Sequence, residues 1–373
     1  MLYRDYGTTG MKVSALGMGC MRLPRLADGT GIDQEKAIRL IRAAIDGGIN
    51  YLDTAFGYSG SEETVGKALQ DGYREKIYLA TKIPPREVKG PADVARCFDI
   101  QQARLQMDYV DMVLVHHVNA ENWPQVKSSG MYDALVELKK QGKTKHIGVS
   151  IHGPFDLFMD IIDTYEWEMV QIQQNYYDTD KQCTEQAIEV LKQRGIACVI
   201  MEPLRGGVLA NLPKPIVEMI EQYPIKRTPV EWAFRHCYNY EGVSCILSGM
   251  NEFSQLEENL ATFAEAVPNS MTDEEKGFIA QLKNTLEGRT AVDCTSCRYC
   301  MPCPVGVNIP GTFSALNEIS MFDNIRNARR SYMFIQRGGE GADLCIECGT
   351  CEAACPQELP IIELLKKARE TFA

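Results

Sequence analysis

The stretch GINYLDTAFGYSGSEETVGKAL, residues 48–69, contains one complete strand–loop–helix unit. The run INYLDT, which begins at residue 49, is short, apolar and rich in residues that favour buried strands. Residues 61–70 then place apolar side chains at helical spacing. A strand that leads into a helix is the unit from which parallel sheets are built. The fold therefore depends on how often this unit recurs.

Similar units lie on both sides of this stretch, from about residue 12 to residue 265. Further candidate strands are VSALGMG (13–19), KIYLATK (76–82), YVDMVLVHH (109–117), KHIGVS (145–150), EMVQIQQ (168–174), IACVIM (196–201) and VSCILSG (243–249). Helical spacing occurs at 34–48, 91–106, 131–141, 154–163, 182–194, 228–238 and 252–265. Eight units in about 250 residues predict an α/β fold with a closed (β/α)8 TIM barrel. An open doubly wound sheet would carry a GxGxxG turn after its first strand, and this sequence has none there.

The segments outside the repeats complete the predicted organisation. Residues 3–13, YRDYGTTGMKV, suggest a hairpin that closes the bottom of the barrel. We expect the barrel to cover residues 1–268, a linking helix to cover 269–289, and a second domain of different composition to cover 290–373.

The charge balance excludes several classes of partner. Acidic residues number 50 against 39 basic ones, so the net charge is -11. This sign opposes general attraction to nucleic acids and anionic membranes. No apolar run approaches the length of about 20 residues that a membrane-spanning helix needs, and the N-terminus lacks a signal-peptide core. We therefore expect a cytoplasmic protein.

The cysteines carry the strongest motif. Most of the 14 cysteines lie near the C-terminus, where CIECGTCEAACP (345–356) has the CxxCxxCxxxCP spacing of a [4Fe-4S] cluster. In that pattern the cysteine before proline characteristically ligates a second cluster. A second run, CTSCRYCMPCP (294–304), supplies it, although its last gap is one residue shorter.

This pattern predicts two cross-ligated clusters in a helical, ferredoxin-like domain. One cluster would be held by Cys294, Cys297, Cys300 and Cys355, and the other by Cys303, Cys345, Cys348 and Cys351. Structural zinc and disulfides are the alternatives, but zinc sites usually pair two CxxC units without the terminal Cys-Pro. The segment NEISMFDNIRNARRSYMF (317–334) between the motifs has helical spacing and forms an insertion.

Four titratable side chains lie at the ends of three consecutive predicted strands. Asp53 ends the second strand and Tyr58 follows in the loop, while Lys82 and His116 end the third and fourth strands. Barrel enzymes place their chemistry at this rim. Each residue alone is better explained by a structural role, but the four together favour an active site.

The sequence resembles the aldo-keto reductase family over roughly residues 1–265. The matching motifs are GTTGMKVSALGMGCMRLP near the start, DTAFGY, the strand-ending TK and LVHH. With both cysteine runs, the chain is similar to the iron-sulfur, ferredoxin-fused branch of that family. The resemblance implies that the family's catalytic tetrad falls on Asp53, Tyr58, Lys82 and His116.

The chemistry of carbonyl reduction accounts for such a tetrad. A phenol with a pKa of about 10 is a poor acid at neutral pH, and an adjacent ammonium lowers that pKa by stabilising the phenolate. We therefore expect Tyr58 to donate the proton, Lys82 to supply the charge and Asp53 to hold Lys82. His116 orients the substrate oxygen; strand alternation sets it apart from His117, and His152 is a possible further site residue.

The resemblance also implies a nicotinamide cofactor that lies across the rim of the barrel. The matching positions are Ser150 and Gln171 near the nicotinamide, Pro203, Leu204, Gly206 and Gly207 around the pyrophosphate, and Ser248, Gly249, Gln255, Glu258 and Asn259 at the adenosine end. A helix that starts near Glu252 would point its backbone N–H groups at phosphate. Many relatives that use NADPH place Lys and Arg around its 2'-phosphate, where this sequence has Gly249 and Gln255. Met201 and Ile151 also depart from the usual residues. The cofactor is thus NADH or NADPH, without a sign of NADP preference.

Together these features predict an oxidoreductase that interconverts a small-molecule carbonyl and an alcohol and carries two [4Fe-4S] clusters. A hydride carries two electrons whereas a cluster passes one, so the clusters are structural or exchange electrons with a one-electron carrier such as ferredoxin. Two other functions stay open: a redox sensor that uses the barrel as a scaffold, and a lyase or dehydratase that uses the tyrosine–lysine pair.

Overall fold

The computed structural model of the protein describes residues 1–179, 182–294, 298–355 and 357–373. Its strands are β1 (Tyr3–Asp5), β2 (Lys12–Ser14), β3 (Leu16–Gly19), β4 (Tyr51–Asp53), β5 (Tyr78–Ile83), β6 (Val110–Val118), β7 (Thr144–Ile151), β8 (Met169–Gln173), β9 (Ala197–Met201) and β10 (Val243–Ser248). Strands β3 to β10 follow one another around a closed barrel, in which β10 pairs with β3. Neighbouring strands are parallel throughout. This confirms the predicted (β/α)8 fold.

Helices connect the strands and continue into the C-terminal part of the chain. Those of the repeats are α1 (Gln34–Asp46), α2 (Ser61–Ala68), α3 (Pro91–Leu105), α4 (Trp123–Ser128), α5 (Met131–Lys140), α6 (Phe155–Thr164), α7 (Thr184–Arg194), α8 (Lys214–Gln222), α9 (Pro229–Tyr238) and α10 (Phe253–Phe263). Those that follow are α11 (Asp273–Glu287), α12 (Ile309–Phe322), α13 (Ile325–Arg337), α14 (Thr350–Ala353) and α15 (Ile361–Phe372). The sequence did not predict α4 and α8, because α4 has only six residues and both carry proline in their first turn.

Local sequence accounts for the way the helices begin and pack. In α1, Leu40, Ile41, Ala44 and Ile45 are buried at helical spacing. The carboxylate of Asp33 accepts a hydrogen bond from the backbone N–H of Lys36 and so caps the first turn. Burial of one apolar stripe against the barrel thus fixes the orientation of the helix.

The β1–β2 hairpin closes the amino-terminal end of the barrel, as the sequence predicts. The side chain of Tyr6, between the two strands, is fully buried, and its hydroxyl lies 3.1 Å from that of Tyr51 in β4. Gly7 has a φ of +53°, and a Cβ there would lie 2.5 Å from the carbonyl oxygen of Gly195. Arg4 donates hydrogen bonds to carbonyl oxygens that include that of Val243. The hairpin is therefore an integral part of the barrel core.

The chain divides into two compact units. One comprises residues 1–206 and 231–273, and the other comprises 207–230 and 274–373. The boundaries expected from the sequence at residues 268 and 290 stay predictions. Among the described residues, no helix is long and apolar enough to cross a membrane.

The second unit has its own apolar core. Its buried side chains include Phe313 and Leu316 of α12, Tyr332 of α13, and Leu365 and Phe372 of α15. Described cysteines of both motifs pack against this core; these are Cys294, Cys300, Cys303, Cys345, Cys351 and Cys355. The helices of the predicted insertion are thus the framework on which the cysteine runs rest.

Candidate functional site

The four predicted catalytic residues meet at the carboxyl-terminal rim of the barrel. Asp53 is the last residue of β4, Lys82 lies near the end of β5, and His116 lies near the end of β6. Tyr58 follows in the loop after β4, where its backbone N–H donates to the carbonyl oxygen of Ala55. Because these strands are neighbours in the barrel, their ends bring the four side chains into one site.

Lys82 and Asp53 form a buried ion pair at the centre of this site. The side chains are 0% and 4% exposed, and Lys82 Nζ lies 2.5 Å from Asp53 Oδ1. The ammonium also donates to the carbonyl oxygen of Thr54 at 3.0 Å. Burial raises the pKa of Asp53, and Lys82 partly offsets that rise. Asp53 Oδ2 accepts no hydrogen bond from any residue that the structure describes.

Tyr58 lies between the ammonium and an imidazole. Lys82 Nζ is 5.1 Å from the centre of the Tyr58 ring, and the His116 ring meets that ring edge-on at 5.5 Å between centroids. Burial raises the pKa of Tyr58, and Lys82 lowers it by a smaller amount. The sequence predicted the effect of Lys82 but not the larger effect of burial. The phenol is therefore protonated at neutral pH, and the Lys82 ammonium lies where it can stabilise the phenolate that loss of the proton would leave.

Burial lowers the pKa of His116 well below its usual range, with the charge on Lys82 as the next cause. An imidazole with such a pKa is neutral at pH 7. It still carries one N–H donor and one acceptor nitrogen. His116 can therefore hold a substrate oxygen by a hydrogen bond without adding a second positive charge to the site.

A buried polar network that sequence reasoning missed lies behind these residues. The carboxylate of Glu62 in α2 accepts hydrogen bonds from Thr81, Gln101 and Arg104 at 2.7, 2.8 and 3.0 Å. Gln101 also donates to the carbonyl oxygen of Lys82, and Arg104 to that of Phe56. The network thus fixes both the end of β5 and the loop that carries Tyr58. In the sequence, the signal for this network is the pair of adjacent acids, Glu62 and Glu63, that follows the Tyr58 loop.

Two more histidines lie at the same rim. The rings of His117 and His152 are 4.4 Å apart, and the His117 backbone has a φ of +56°, which is unusual for a residue with a side chain. Ser150 Oγ accepts the backbone N–H of His117 and Asn122 donates to its carbonyl oxygen, so both backbone polar groups are engaged. Burial lowers the pKa of His152 to about 4.

Ser150 and Gln171, which the resemblance assigns to the nicotinamide end, face each other in the register of β7 and β8. Both are buried. Gln171 Nε2 contacts the sulfur of Met201 at 3.6 Å, and its Oε1 has no hydrogen-bond donor among the described residues. An unpaired amide oxygen at this depth fits a ligand that offers an N–H group, such as a carboxamide.

The loop assigned to the pyrophosphate has unusual backbone geometry. Positive φ angles occur at Glu202, Arg205, Gly206 and Gly207. Arg22, from the loop after β3, pairs with Glu202 at 3.4 Å. A Cβ atom on Gly206 would lie 3.0 Å from an Arg22 guanidinium nitrogen, and one on Gly249 would lie 3.3 Å from Arg22 Cδ. Arg22 is a cation at the predicted anion-binding loop that the sequence did not reveal. Pro203 and Leu204 precede this turn, and Pro203 is buried.

The residues assigned to the adenosine end surround the start of α10. Glu252 caps the helix in a capping box with Gln255, whose side-chain oxygen accepts the backbone N–H groups of Asn251 and Glu252. Lys36 Nζ pairs with the Glu252 carboxylate at 2.6 Å. The helix N-terminus, expected to point free N–H groups at phosphate, is thus partly occupied by an acidic side chain. Farther along α10, the buried side chain of Asn259 donates a hydrogen bond to Ser248 Oγ at 3.0 Å. Glu258 is half-buried, and Gly249 is exposed.

The cysteine motifs meet at a cavity in the second unit. Cys294 and Cys300 of the first run and Cys355 of the second line it together, with Arg298, Gln357 and the apolar residues Ile309, Pro310, Phe313, Leu359 and Ile361. The predicted fourth ligand, Cys297, lies outside the described residues. No three described His, Cys, Asp or Glu side chains form a group arranged for a metal ion. Thiols from both runs around one apolar cavity fit the predicted cross-ligation.

Known proteins share both parts of the chain. Residues 15–276 match the Aldo/keto reductase family, and residues 293–359 match the 4Fe-4S dicluster domain. L-galactose dehydrogenase of Arabidopsis thaliana is 29% identical over 296 residues, which cover 73% of this chain and 91% of that protein.

Solved structures show the same barrel. An aldo-keto reductase from Bacillus halodurans in its holo form is 27% identical, with a TM-score of 0.63 over 76% of this chain and 96% of the other. An aldo/keto reductase from Klebsiella pneumoniae, solved in complex with NADP and acetate, is 22% identical. It has a TM-score of 0.61 over 75% of this chain and 95% of its own.

The low pKa of His152 predicts a loss of stability in acid. The unfolded chain binds a proton at His152 below a pH of about 6.5, whereas the folded chain does so only below a pH of about 4. Between these values each pH unit costs the folded state about 1.4 kcal/mol. The free energy of unfolding should therefore fall by about 2 kcal/mol less in His152→Asn than in wild type from pH 7 to pH 5. Urea denaturation measures this, and equal losses would contradict it; from pH 7 to pH 9 the two should agree.

Proposed function

The chain belongs to the aldo/keto reductase family, and we propose that its barrel interconverts a small-molecule carbonyl and an alcohol with a nicotinamide cofactor. The observation that carries the proposal is the buried pair of Lys82 and Asp53, with Tyr58 above the ammonium and His116 beside it. A structural salt bridge alone does not require a tyrosine and a neutral imidazole at the same rim. This combination serves proton transfer to an oxygen.

Each residue of the tetrad has a separate task in this proposal. Tyr58 donates the proton to the carbonyl oxygen in reduction and takes it back in oxidation. Lys82 stabilises the phenolate that remains, and Asp53 keeps the ammonium in place. His116, neutral at pH 7, donates a hydrogen bond to the same substrate oxygen. The network of Glu62 fixes the backbone that carries Tyr58 and Lys82.

The residues at the rim fit a nicotinamide cofactor, which supplies or accepts the hydride when bound. The unpaired Oε1 of Gln171, beside Ser150, suits a carboxamide. Arg22 and the turn at Gly206 suit a pyrophosphate, since a guanidinium and the backbone N–H groups of a glycine turn can bind phosphate oxygens. Glu252, at the start of α10, would accept a hydrogen bond from a ribose hydroxyl, and its ion pair with Lys36 engages a cation that could otherwise bind a 2'-phosphate.

We propose that the second unit holds two [4Fe-4S] clusters, one on Cys294, Cys297, Cys300 and Cys355 and one on Cys303, Cys345, Cys348 and Cys351. The cavity that Cys294, Cys300 and Cys355 share supports this pairing. The clusters exchange single electrons with an outside carrier. We place the protein in the cytoplasm, because its buried cysteines are free thiols and a reducing compartment maintains them.

Replacement of the proposed proton donor tests the catalytic assignment. Tyr58→Phe keeps the ring and removes the hydroxyl, so kcat should fall about 10²-fold or more, while cofactor binding and thermal stability change little. Steady-state kinetics on a substrate found in a panel of carbonyls and alcohols measures this. Tyr109→Phe, directly before the start of β6 and so at the other end of that strand from His116, is the matched control and should keep wild-type turnover. If Tyr58→Phe keeps near wild-type turnover, Tyr58 is not the proton donor.

The acidic helix cap predicts cofactor choice. NADH should bind at least as well as NADPH, because neither Gly249 nor Gln255 offers a cation and the nearby Lys36 ammonium is held in an ion pair by Glu252, which Glu252→Gln would break. Glu252→Gln should shift the ratio of the two dissociation constants about 10-fold toward NADPH. Fluorescence titration of anaerobic protein measures both ligands, with the exposed Glu257→Gln as control.

The same titration has two adverse outcomes. Tenfold tighter binding of NADPH by wild type would show that other residues bind the phosphate. Absence of binding of either cofactor, with activity on a hydroxy compound retained, would indicate a lyase or dehydratase.

Cross-ligation predicts which cluster each cysteine supports. Iron and sulfide analysis of anaerobic protein should give about eight irons per chain. Cys355→Ser should damage the cluster held by Cys294 and Cys300, whereas Cys351→Ser should damage the other, and EPR of the reduced variants distinguishes the two. About two zinc ions without labile sulfide would contradict the cluster assignment. If Cys355→Ser instead loses the cluster proposed for Cys345, Cys348 and Cys351, the assignment of cysteines to the two clusters is wrong, although the presence of two clusters stands.

A further inference from the structure

Helix α13 of the cluster-bearing unit presents an exposed row of arginines in an otherwise acidic protein. Arg326, Arg330, Phe334 and Arg337 follow one another at helical intervals of three and four residues, which places them along one face. We name this row the arginine ridge. All four side chains are exposed, and Phe334 is 60% exposed. The opposite face carries Ala328 and Tyr332, which are buried in the core of the unit. The ridge therefore points away from that core.

The arginines of α13 lack partners within the described part of the chain. None of Arg326, Arg329, Arg330 and Arg337 pairs with a described carboxylate, although the net charge of the protein is -11. The acids nearest in sequence are used elsewhere: Asp323 pairs with Arg289, Glu340 accepts from Asn308, and Glu318 accepts from Asn327. The guanidinium groups of the ridge are thus free to bind an external acid.

The helix is connected directly to a cysteine motif. Tyr332 accepts a hydrogen bond from the backbone N–H of Ala342 at 2.8 Å, and the N–H of Cys345 donates to the carbonyl oxygen of Ala342. Within the motif, Glu347 is neutralised by Lys366 and Arg369, so this acid does not cancel the charge of the ridge. Ile346, beside Cys345, is 63% exposed. Positive charge and exposed apolar surface therefore occur in the same unit as the proposed clusters.

We propose that the arginine ridge docks an acidic one-electron carrier protein that exchanges electrons with the clusters. This rests on the proposed function, in which the clusters are redox-active. In each exchange the carrier loses one electron and one cluster gains it, and no bond or proton is transferred. A helix of 13 residues is about 20 Å long, which suits the small interfaces of transient electron-transfer complexes. Arginine and exposed aromatic side chains are the types enriched in such contacts.

The chemistry of the ridge favours a compact protein over an extended polyanion. Nucleic acid binding depends on many phosphate contacts, and the ridge offers few cations beside Phe334 while the rest of the chain is acidic. The same net charge opposes adsorption to an anionic membrane. A small acidic protein needs only one patch of negative charge that faces the ridge, and this opposite charge also accelerates its association with the ridge.

Stopped-flow reduction of the full-length, cluster-loaded protein by a reduced acidic ferredoxin tests the proposal. The second-order rate constant of wild type should fall as salt rises, because salt screens the charges. Arg330→Glu combined with Arg337→Glu should lower that constant about 10-fold or more at low salt. The control combines Lys89→Glu and Lys140→Glu, two exposed positions of the barrel, and changes net charge equally. It should stay within about threefold of wild type.

Three outcomes would overturn the proposal. Equal rates for the ridge variant and the control would show that only net charge matters. If reduction does not depend on salt and the protein instead binds phosphatidylserine vesicles through the ridge, the ridge is a membrane-binding surface.

Reduction by a cationic viologen is the control for folding and cluster loading, and it should be equal in wild type and the ridge variant. If the viologen reduces neither, the clusters are not redox-active, and the proposed electron exchange fails together with the docking.

Discussion

The buried ion pair between Lys82 and Asp53 is the interaction on which the carboxyl-terminal rim of the barrel depends. Removing an ammonium and a carboxylate from water costs several kcal/mol for each ion, so such a pair persists only in a fixed geometry. The closed barrel supplies that geometry, because the ends of β4 and β5 are held side by side by the parallel ladder. Glu62, Gln101 and Arg104 then hold the backbone around the pair from outside the barrel.

The same burial determines the protonation of the neighbouring groups. Burial keeps the Tyr58 phenol protonated and the His116 imidazole neutral, so neither side chain adds a charge beside the Lys82 ammonium. A proton donor with a raised pKa is useful only if its conjugate base is stabilised when it forms. In the proposed reaction the fixed ammonium of Lys82 meets that need without any rearrangement, which is the advantage of a preorganised site over water.

The second unit poses a different physical problem. Hydride transfer moves two electrons together, whereas an iron-sulfur cluster moves one. A chain that carries both kinds of site therefore needs an outside partner for the clusters, unless the clusters only stabilise the fold. The unpaired arginines of α13 favour the first explanation, because a purely structural cluster domain has no need of an exposed basic face.

The sequence by itself determined the barrel, the strand ends that carry the tetrad, and the cysteine motifs. It succeeded there because strand–helix alternation and ligand spacing are local patterns. Only the tertiary structure brought Arg22 to the glycine turn and Lys36 to Glu252. It also decided that burial outweighs Lys82 in the pKa of Tyr58. These outcomes depend on contacts between residues far apart in the chain, and on the removal of water from charged groups, which no local pattern records.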